Sequence, residues 1–215
     1  MTWRSYIYPQ TIARFASLYN KDIRVVEEHG RNKILVNGSP QSGPYIEKLW
    51  KQACRAFAIP KKFSPESILV MGIAGGTVIH LLSLWYPHAK ITAVDIDQTM
   101  IDIGKRFFGL KQMKNLVMKQ ADAKVFVSQE GQKSHHYDLI IVDLSFGRII
   151  PAFVIREDFL KDIKTLKGKN GLAVINFLRE GQYREISEHL KQTLANLFER
   201  VAEKAIFFNR FFCVR

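Results

Sequence analysis

Apolar positions in the first sixty residues recur at two different periods, and after residue 67 they settle into alternating strand and helix blocks. Residues 22–28 (DIRVVEE) and 33–37 (KILVN) are β-rich and are separated by His29-Gly30-Arg31-Asn32, which predicts a hairpin with Gly30 in the turn. In residues 45–57 the apolar positions Ile46, Leu49, Trp50, Ala53 and Phe57 fall at helical spacing. Glu47, Lys48, Lys51 and Gln52 face the other way, and the helix is expected to stop before Pro60. The run 68–72 (ILVMG) is apolar without alternation, as expected of a strand covered on both faces. A helix over 77–85 follows, then a strand over 91–95 and a helix over 98–108 opened by Asp97 as its N-cap. Further strands are predicted at 115–120, 138–143 and 171–177. A helix over 156–167 precedes the last of these, with Gly168 and Gly171 as its terminators, and another is expected over 183–196. The chain closes on two β-rich runs with Asn209 between them. Alternating β and α units imply an α/β fold with a mostly parallel sheet, and the short final connection implies an antiparallel last strand.

Composition narrows the class. With 47% hydrophobic and 24% charged residues the 215-residue chain is ordinary for one well-buried globular domain. Its two cysteines, Cys54 and Cys213, have no CxxC spacing, which argues against a disulfide scaffold or a cysteine zinc site and fits a reduced, cytoplasmic compartment. No signal peptide is expected, because no apolar run follows the first arginine. Residues 67–87 have the length of a membrane span, but three glycines and His80 interrupt them. A buried strand, a turn and a helix explain them better. The formal net charge of +12 favours anionic partners, with basic residues gathered at 48–62 and 105–119. Solvated lysine-rich helix faces account for the same clusters, and no known nucleic-acid module is legible.

The candidate site lies where the first strand turns into a helix. In the segment 72–77 (GIAGGT), glycine at Gly72 permits a tight turn, and Gly75 and Gly76 allow a ligand to approach backbone. Asp95 ends the next strand 23 residues after Gly72, the placement of an acid that bonds the ribose hydroxyls of a nucleoside. Asp122 follows the third strand and Asp143 ends the fourth. Each alone is a common helix cap or turn residue, but three carboxylates at successive strand ends point to a ligand crevice. The turn lacks the glycine spacing of a dinucleotide fingerprint, since Ala74 stands at the second glycine position.

The stretches ILVMGIAGGTVIHLL, AVDID, QADAKVFV, YDLIIVDLS and IPAFVIREDFLKDIKTLKGKNGLAVINF, with GRNKILVNGSPQSGPYIEKL upstream, resemble the spermidine synthase (polyamine aminopropyltransferase) family. The resemblance covers the chain from about residue 21 to the end. It implies a Rossmann-like methyltransferase fold with a seven-stranded sheet and a small N-terminal β-hairpin segment, divided as residues 1–60 and 61–215. It implies S-adenosylmethionine, or its decarboxylated form, as the cofactor, bound by Gln41, Gly72, Ala74, Gly75, Gly76, Asp95, Ile96, Asp122, Ala123 and Asp143. Asp143 matches the acid that helps deprotonate the attacking amine, Tyr45 the substrate-contacting tyrosine, and a homodimer would fit the family. No metal is implied, and His135 and His136 read as a solvated loop.

Three departures from that pattern bear on the reaction. Where the family carries an aspartate before its last two glycines this chain has Ala74. The second acid, three residues beyond Asp143, is replaced by Phe146, and no acidic stretch precedes Tyr45. An aspartate about 4 Å from the carboxylate of intact S-adenosylmethionine would repel it by about 4 kcal/mol at an effective dielectric of 20. Alanine removes that repulsion and removes the anchor for the decarboxylated ligand. Three functions remain open: a methyl transferase acting on an unidentified nucleophile, a divergent aminopropyltransferase, and a binding protein without catalysis. The basic surface tilts the acceptor toward an anionic one.

Overall fold

In the computed structural model, which describes residues 3–133 and 135–215, the first four strands form a sheet of their own. These are β1 (Gln10–Phe15), β2 (Ile23–Glu28), β3 (Arg31–Val36) and β4 (Ser39–Pro40), antiparallel and in that spatial order. The turn between β2 and β3 is His29-Gly30, both at positive φ (49° and 71°), the backbone that a two-residue hairpin requires. Arg31 and Asn32 belong to the strand, opposite Glu28 and Glu27, and not to the turn as expected. Strand β1 was not anticipated: none of its residues is buried, so it carries no alternation of apolar and polar positions to read.

Helix α1 (Pro44–Ala56) and the short α2 (Ile59–Lys62) lead into the main sheet. Its elements are β5 (Ser67–Met71), α3 (Thr77–Trp85), β6 (Lys90–Asp95), α4 (Gln98–Phe107), β7 (Leu116–Gln120), α5 (Ala123–Gln132) and β8 (Tyr137–Val142). They continue as α6 (Glu157–Leu166), β9 (Lys167–Leu178), α7 (Tyr183–Leu197), β10 (Val201–Ile206) and β11 (Asn209–Val214). The seven strands lie in the order β10-β11-β9-β8-β5-β6-β7, and the last strand of the chain, β11, is the one that runs against its neighbours.

Period-two alternation explains why the central strands are apolar throughout. Ile68 and Val70 of β5 join Leu139 and Ile141 of β8 in the layer covered by α1 and α3. Leu69 and Met71 join Ile140 and Val142 in the layer covered by α5, α6 and α7. Helix α4 is shared. Ile101 packs in the first of these layers, while Met100 and Ile103 pack against Ile23, Val25, Ile34 and Val36 of the N-terminal sheet. That contact places the small sheet beside the carboxyl ends of the main strands.

Three further expectations are corrected. Helix α5 was not expected because AKVFVSQEGQ is weakly amphipathic and its first turn alternates valine and phenylalanine as a strand would. Gly168 and Gly171 are not the terminators of α6, which ends at Leu166, but lie within β9, where a Cβ on Gly171 would crowd the carbonyls of Tyr137 and Asp138. The final turn is Phe207-Phe208, since Ile206 pairs with Asn209. Asn209 stays in the strand and sends its side chain toward the site.

Asp97 ties the two sheets together. Its Oδ1 accepts from the Thr99 amide (3.0 Å) as the N-cap of α4, and its Oδ2 accepts from Ser17 Oγ (2.5 Å) and Asn20 Nδ2 (3.0 Å) in the N-terminal segment. Asp97→Ala removes the cap and strands two donors, one of them buried, so unfolding in urea should show a loss of about 2–4 kcal/mol. A loss below about 0.5 kcal/mol would mean the node does not hold the segments.

Candidate functional site

The order of strands reverses around β5, and there the carboxyl ends of β5, β6 and β8 open a crevice. Gly72, Ile73 and Ala74 form its floor, with Asp95 and Ile96 on one side, Asp122 and Ala123 behind, and Asp143 on the other. Gly72 has no substitute. Its φ is 95°, and a Cβ would collide with the main-chain carbonyl oxygen of Asp143. The close approach of these two backbones sets the depth of the crevice.

Asp95 is braced by main-chain amides. Its Oδ2 accepts from the Ile73 amide (2.9 Å) and its Oδ1 from the Asp97 amide (3.0 Å). Burial pushes its carboxyl above the usual range, with the nearby Asp97 adding to that, while these amides and that of Ala74 pull it back. With three amides on the two oxygens, the carboxylate keeps a lone pair for a hydroxyl donor in the crevice.

Asp143 stands where this crevice meets a second one of about 1000 Å³. Its Oδ2 accepts from Trp50 Nε1 (3.0 Å) and its Oδ1 from Asn176 Nδ2 (2.8 Å). Asn209 Nδ2 in turn donates to Asn176 Oδ1 (2.8 Å), which fixes the orientation of the Asn176 amide. Burial raises the Asp143 carboxyl, and the two donors oppose the rise.

The N-terminal sheet supplies the roof. Gln41 lines both crevices; its Nε2 donates to the Gly147 carbonyl (2.8 Å) and its Oε1 accepts from Ser145 Oγ (3.0 Å). The loop that follows β8 is thereby latched. Phe146 stacks on Tyr19 (centroids 5.8 Å apart, planes 11° apart) and faces the first crevice. Asn20 is buried on the crevice wall. Its Nδ2 is committed to Asp97, and its Oδ1 has no partner among the described residues. A buried acceptor of this kind costs about 1–3 kcal/mol unless something donates to it.

The structure therefore brings together Gln41, Gly72, Ala74, Asp95, Ile96, Asp122, Ala123 and Asp143 around one space. Gly75 and Gly76 are not among the residues lining this space, and a Cβ at Gly75 would meet Ser42 and one at Gly76 would meet Leu110. Their absent side chains serve packing of the N-terminal segment and of the stretch after α4. Asp122 caps α5 through the amides of Lys124 and Val125, and it lines the crevice as well. Tyr45 is half exposed at the second crevice, with its ring 5.9 Å from that of Phe207. His136 contacts the Thr165 carbonyl and His135 packs on Tyr137; among the described residues no cluster of metal-ligating side chains occurs. Among the described residues no helix is long and apolar enough to cross a membrane.

Sequence reading missed Asn20, Trp50 and Asn176. Asn176 had a signal, a polar residue inside the apolar run GLAVINF. Trp50 read as an ordinary core position of α1, and Asn20 lies in a polar stretch without a motif.

Comparison with known proteins bears on this geometry. The model of the spermine/spermidine synthase domain matches residues 49–212, the span that contains both crevices' strand ends. The chain belongs to this family. A polyamine aminopropyltransferase of Vibrio vulnificus (strain CMCP6) is 33% identical over 112 residues, 52% of this chain and 38% of that protein. An eEF1A lysine and N-terminal methyltransferase homolog of Drosophila pseudoobscura pseudoobscura is 32% identical over 125 residues, 55% of this chain and 19% of that protein. The chain thus spans well under half the length of either relative. Human methyltransferase-like protein 13, solved in complex with SAH, superposes with a TM-score of 0.68 at 20% identity, covering 80% of this chain and 82% of that one. This spermidine synthase-like chain therefore has the methyltransferase-like fold, and its relatives include transferases of both methyl and aminopropyl groups.

Because burial raises the Asp143 carboxyl, the folded state favours its protonated form. The stability it contributes is present at acid pH and is lost as pH rises from the unfolded carboxylate range through the raised folded value. Asn176→Leu removes a donor that favours the ionised form, so the pKa should climb further and stability should fall more between acid and neutral pH than in the wild type. Carboxyl-carbon NMR titration reads the pKa, and an unchanged or lower value would contradict this account.

Proposed function

We propose that the chain transfers the methyl group of S-adenosylmethionine to an amine held beside Asp143. The observation that carries this reading is Ala74: a small apolar residue sits in the crevice floor at the position where an acid would select the decarboxylated ligand. The residues suit an S-adenosyl ligand. Asp95 offers a lone pair for a ribose hydroxyl, the orphan Oδ1 of Asn20 offers another acceptor at the wall, and Ile96 and Ala123 provide apolar contacts for adenine.

When bound, S-adenosylmethionine supplies an electrophilic methyl group whose S–C bond breaks as the new N–C bond forms on the acceptor. Asp143 takes the proton that the acceptor nitrogen must lose. Its raised affinity for protons suits that task, and the Trp50 and Asn176 bonds keep the carboxylate aimed at the junction. Among the residues lining the second crevice Asp143 is the one carboxylate, which leaves a polyamine's additional ammonium without a counter-charge.

Calorimetry with S-adenosylmethionine, its decarboxylated form and methylthioadenosine tests the reading. Wild type should prefer intact S-adenosylmethionine. Asp95→Ala should weaken all three ligands by about ten- to a hundredfold, the equivalent of a charge-assisted pair. Ala74→Asp should weaken S-adenosylmethionine by up to about a thousandfold while sparing the decarboxylated form. The φ of Ala74 is 43°, a conformation aspartate accepts readily, so the variant should fold. Tighter binding of the decarboxylated ligand to wild type would instead establish an aminopropyltransferase, the reading favoured by the Vibrio relative.

A further inference from the structure

The mouth of the second crevice combines features that the adenosyl site does not use. Phe207 and Phe208, in the turn between β10 and β11, are both about half exposed. Phe207 has a φ of 50°, a left-handed conformation that a bulky side chain rarely adopts. Its position is pinned from three sides. Arg179 Nε donates to its carbonyl (3.0 Å), Lys48 Nζ lies 5.9 Å from its ring centroid, and the Tyr45 ring packs 5.9 Å away. Among the described residues neither Lys48 nor Arg179 has a carboxylate within ion-pair distance, whereas Arg148, which lines the crevice, is paired with Glu180, the chain neighbour of Arg179. Tyr45 and Phe208 line the crevice, Lys48 and Arg179 stand beside them through Phe207, and among the lining residues Asp143 is the one carboxylate.

Rim and interior ask for different things. A free polyamine would meet two unpaired cations before reaching one acid. A nucleobase would find no ring face deep in the crevice among the described residues: Trp50 is fully buried with its edge against Phe211 (5.0 Å, 75°) and Phe177 is also buried, so the exposed lining rings are those of Tyr45 and Phe208. What the interior offers is aliphatic wall from Ile46, Leu49 and Leu178, ending at the amides and carboxylate around Asp143. That suits an unbranched alkyl arm with a terminal amine, carried by a chain whose own charge is negative.

We propose that Lys48, Arg179, Tyr45, Phe207 and Phe208 dock an acidic polypeptide segment, from which one lysine side chain enters the second crevice and reaches Asp143. This rests on the methyl-transfer reading for its chemistry, but the docking can be measured without turnover. Charge complementarity at such a rim acts mainly on encounter and choice of partner and weakens with salt.

The test uses the full chain saturated with S-adenosylhomocysteine and two fluorescent peptides of equal length. Each has a single central lysine, flanked by Asp and Glu in one and by Ser and Gln in the other. Anisotropy should show the acidic peptide binding about tenfold tighter or better, with the advantage lost at high salt. The double variant Lys48→Glu, Arg179→Glu should abolish the preference while its affinity for S-adenosylhomocysteine is unchanged; the milder pair Lys48→Gln, Arg179→Gln should reduce it. A second arm supplies S-adenosylmethionine with unlabelled acidic peptide, spermidine and a single-stranded oligonucleotide together, and mass spectrometry finds which gains a methyl group. Methylation of the peptide lysine is the expected result. A peptide that docks in a charge-dependent way and gains no methyl group upholds the docking surface and sinks the methyl-transfer reading. Methyl transfer to spermidine or to the oligonucleotide, or peptide affinity that ignores flanking charge or survives the charge reversal, overturns the docking surface while leaving transferase activity in place.

Discussion

A carboxylate withdrawn from water at the end of β8 has to be given donors, and the arrangement around Asp143 follows from where they come from. Trp50 reaches it from α1 and Asn176 from β9, and Asn209 of β11 holds Asn176 in turn. The Trp50 ring is itself buried, so its N–H needs a partner as much as the acid does. Meanwhile the Asp143 backbone presses on Gly72, its amide donating to the Met71 carbonyl (2.9 Å), which fixes the acid against the floor of the adenosyl crevice. One side chain thus couples a helix that precedes the main sheet to the last strand of the chain. It lines both crevices.

The N-terminal sheet has a comparable logic. By itself it is a four-stranded sheet whose outer strand has no buried position, and it gains a core only by sharing α4 with the main sheet. The bonds to Asp97 then hold Asn20 beside the strand ends, and Gln41 is held there by its amide bond to the Ile34 carbonyl of β3 and its side-chain bonds to Ser145 and Gly147. What closes the site from above is therefore a consequence of how a small sheet finds apolar cover.

Much of this was legible in the residues. The strand–helix order from Ser67 onward, the antiparallel last strand and the crevice at Gly72, Asp95 and Asp143 all follow from period, glycine and acid placement. Pieces that resisted reading were those whose physics is non-local. Strand β1 is defined by its partner and not by its own pattern, and α5 has a weak face. Trp50 and Asn176 matter only because a distant carboxylate needs them. Gly75 and Gly76 show the reverse: a local motif pointed to ligand approach, while the space beside them is filled by Ser42 and Leu110. A strand end can be read from a few neighbouring letters; a hydrogen bond spanning ninety residues cannot.

The latch at Gln41 carries one more consequence. The loop after β8 takes its shape from contacts with the N-terminal sheet: Ser145 and Gly147 bond the Gln41 amide, a Cβ at Gly147 would crowd the Val36 carbonyl, and Phe146 stacks on Tyr19. Loop and hairpin are thus one structural module, although about a hundred residues separate them in the chain. Grafting a relative's loop into this scaffold without its matching hairpin would transplant the letters and leave the mould behind.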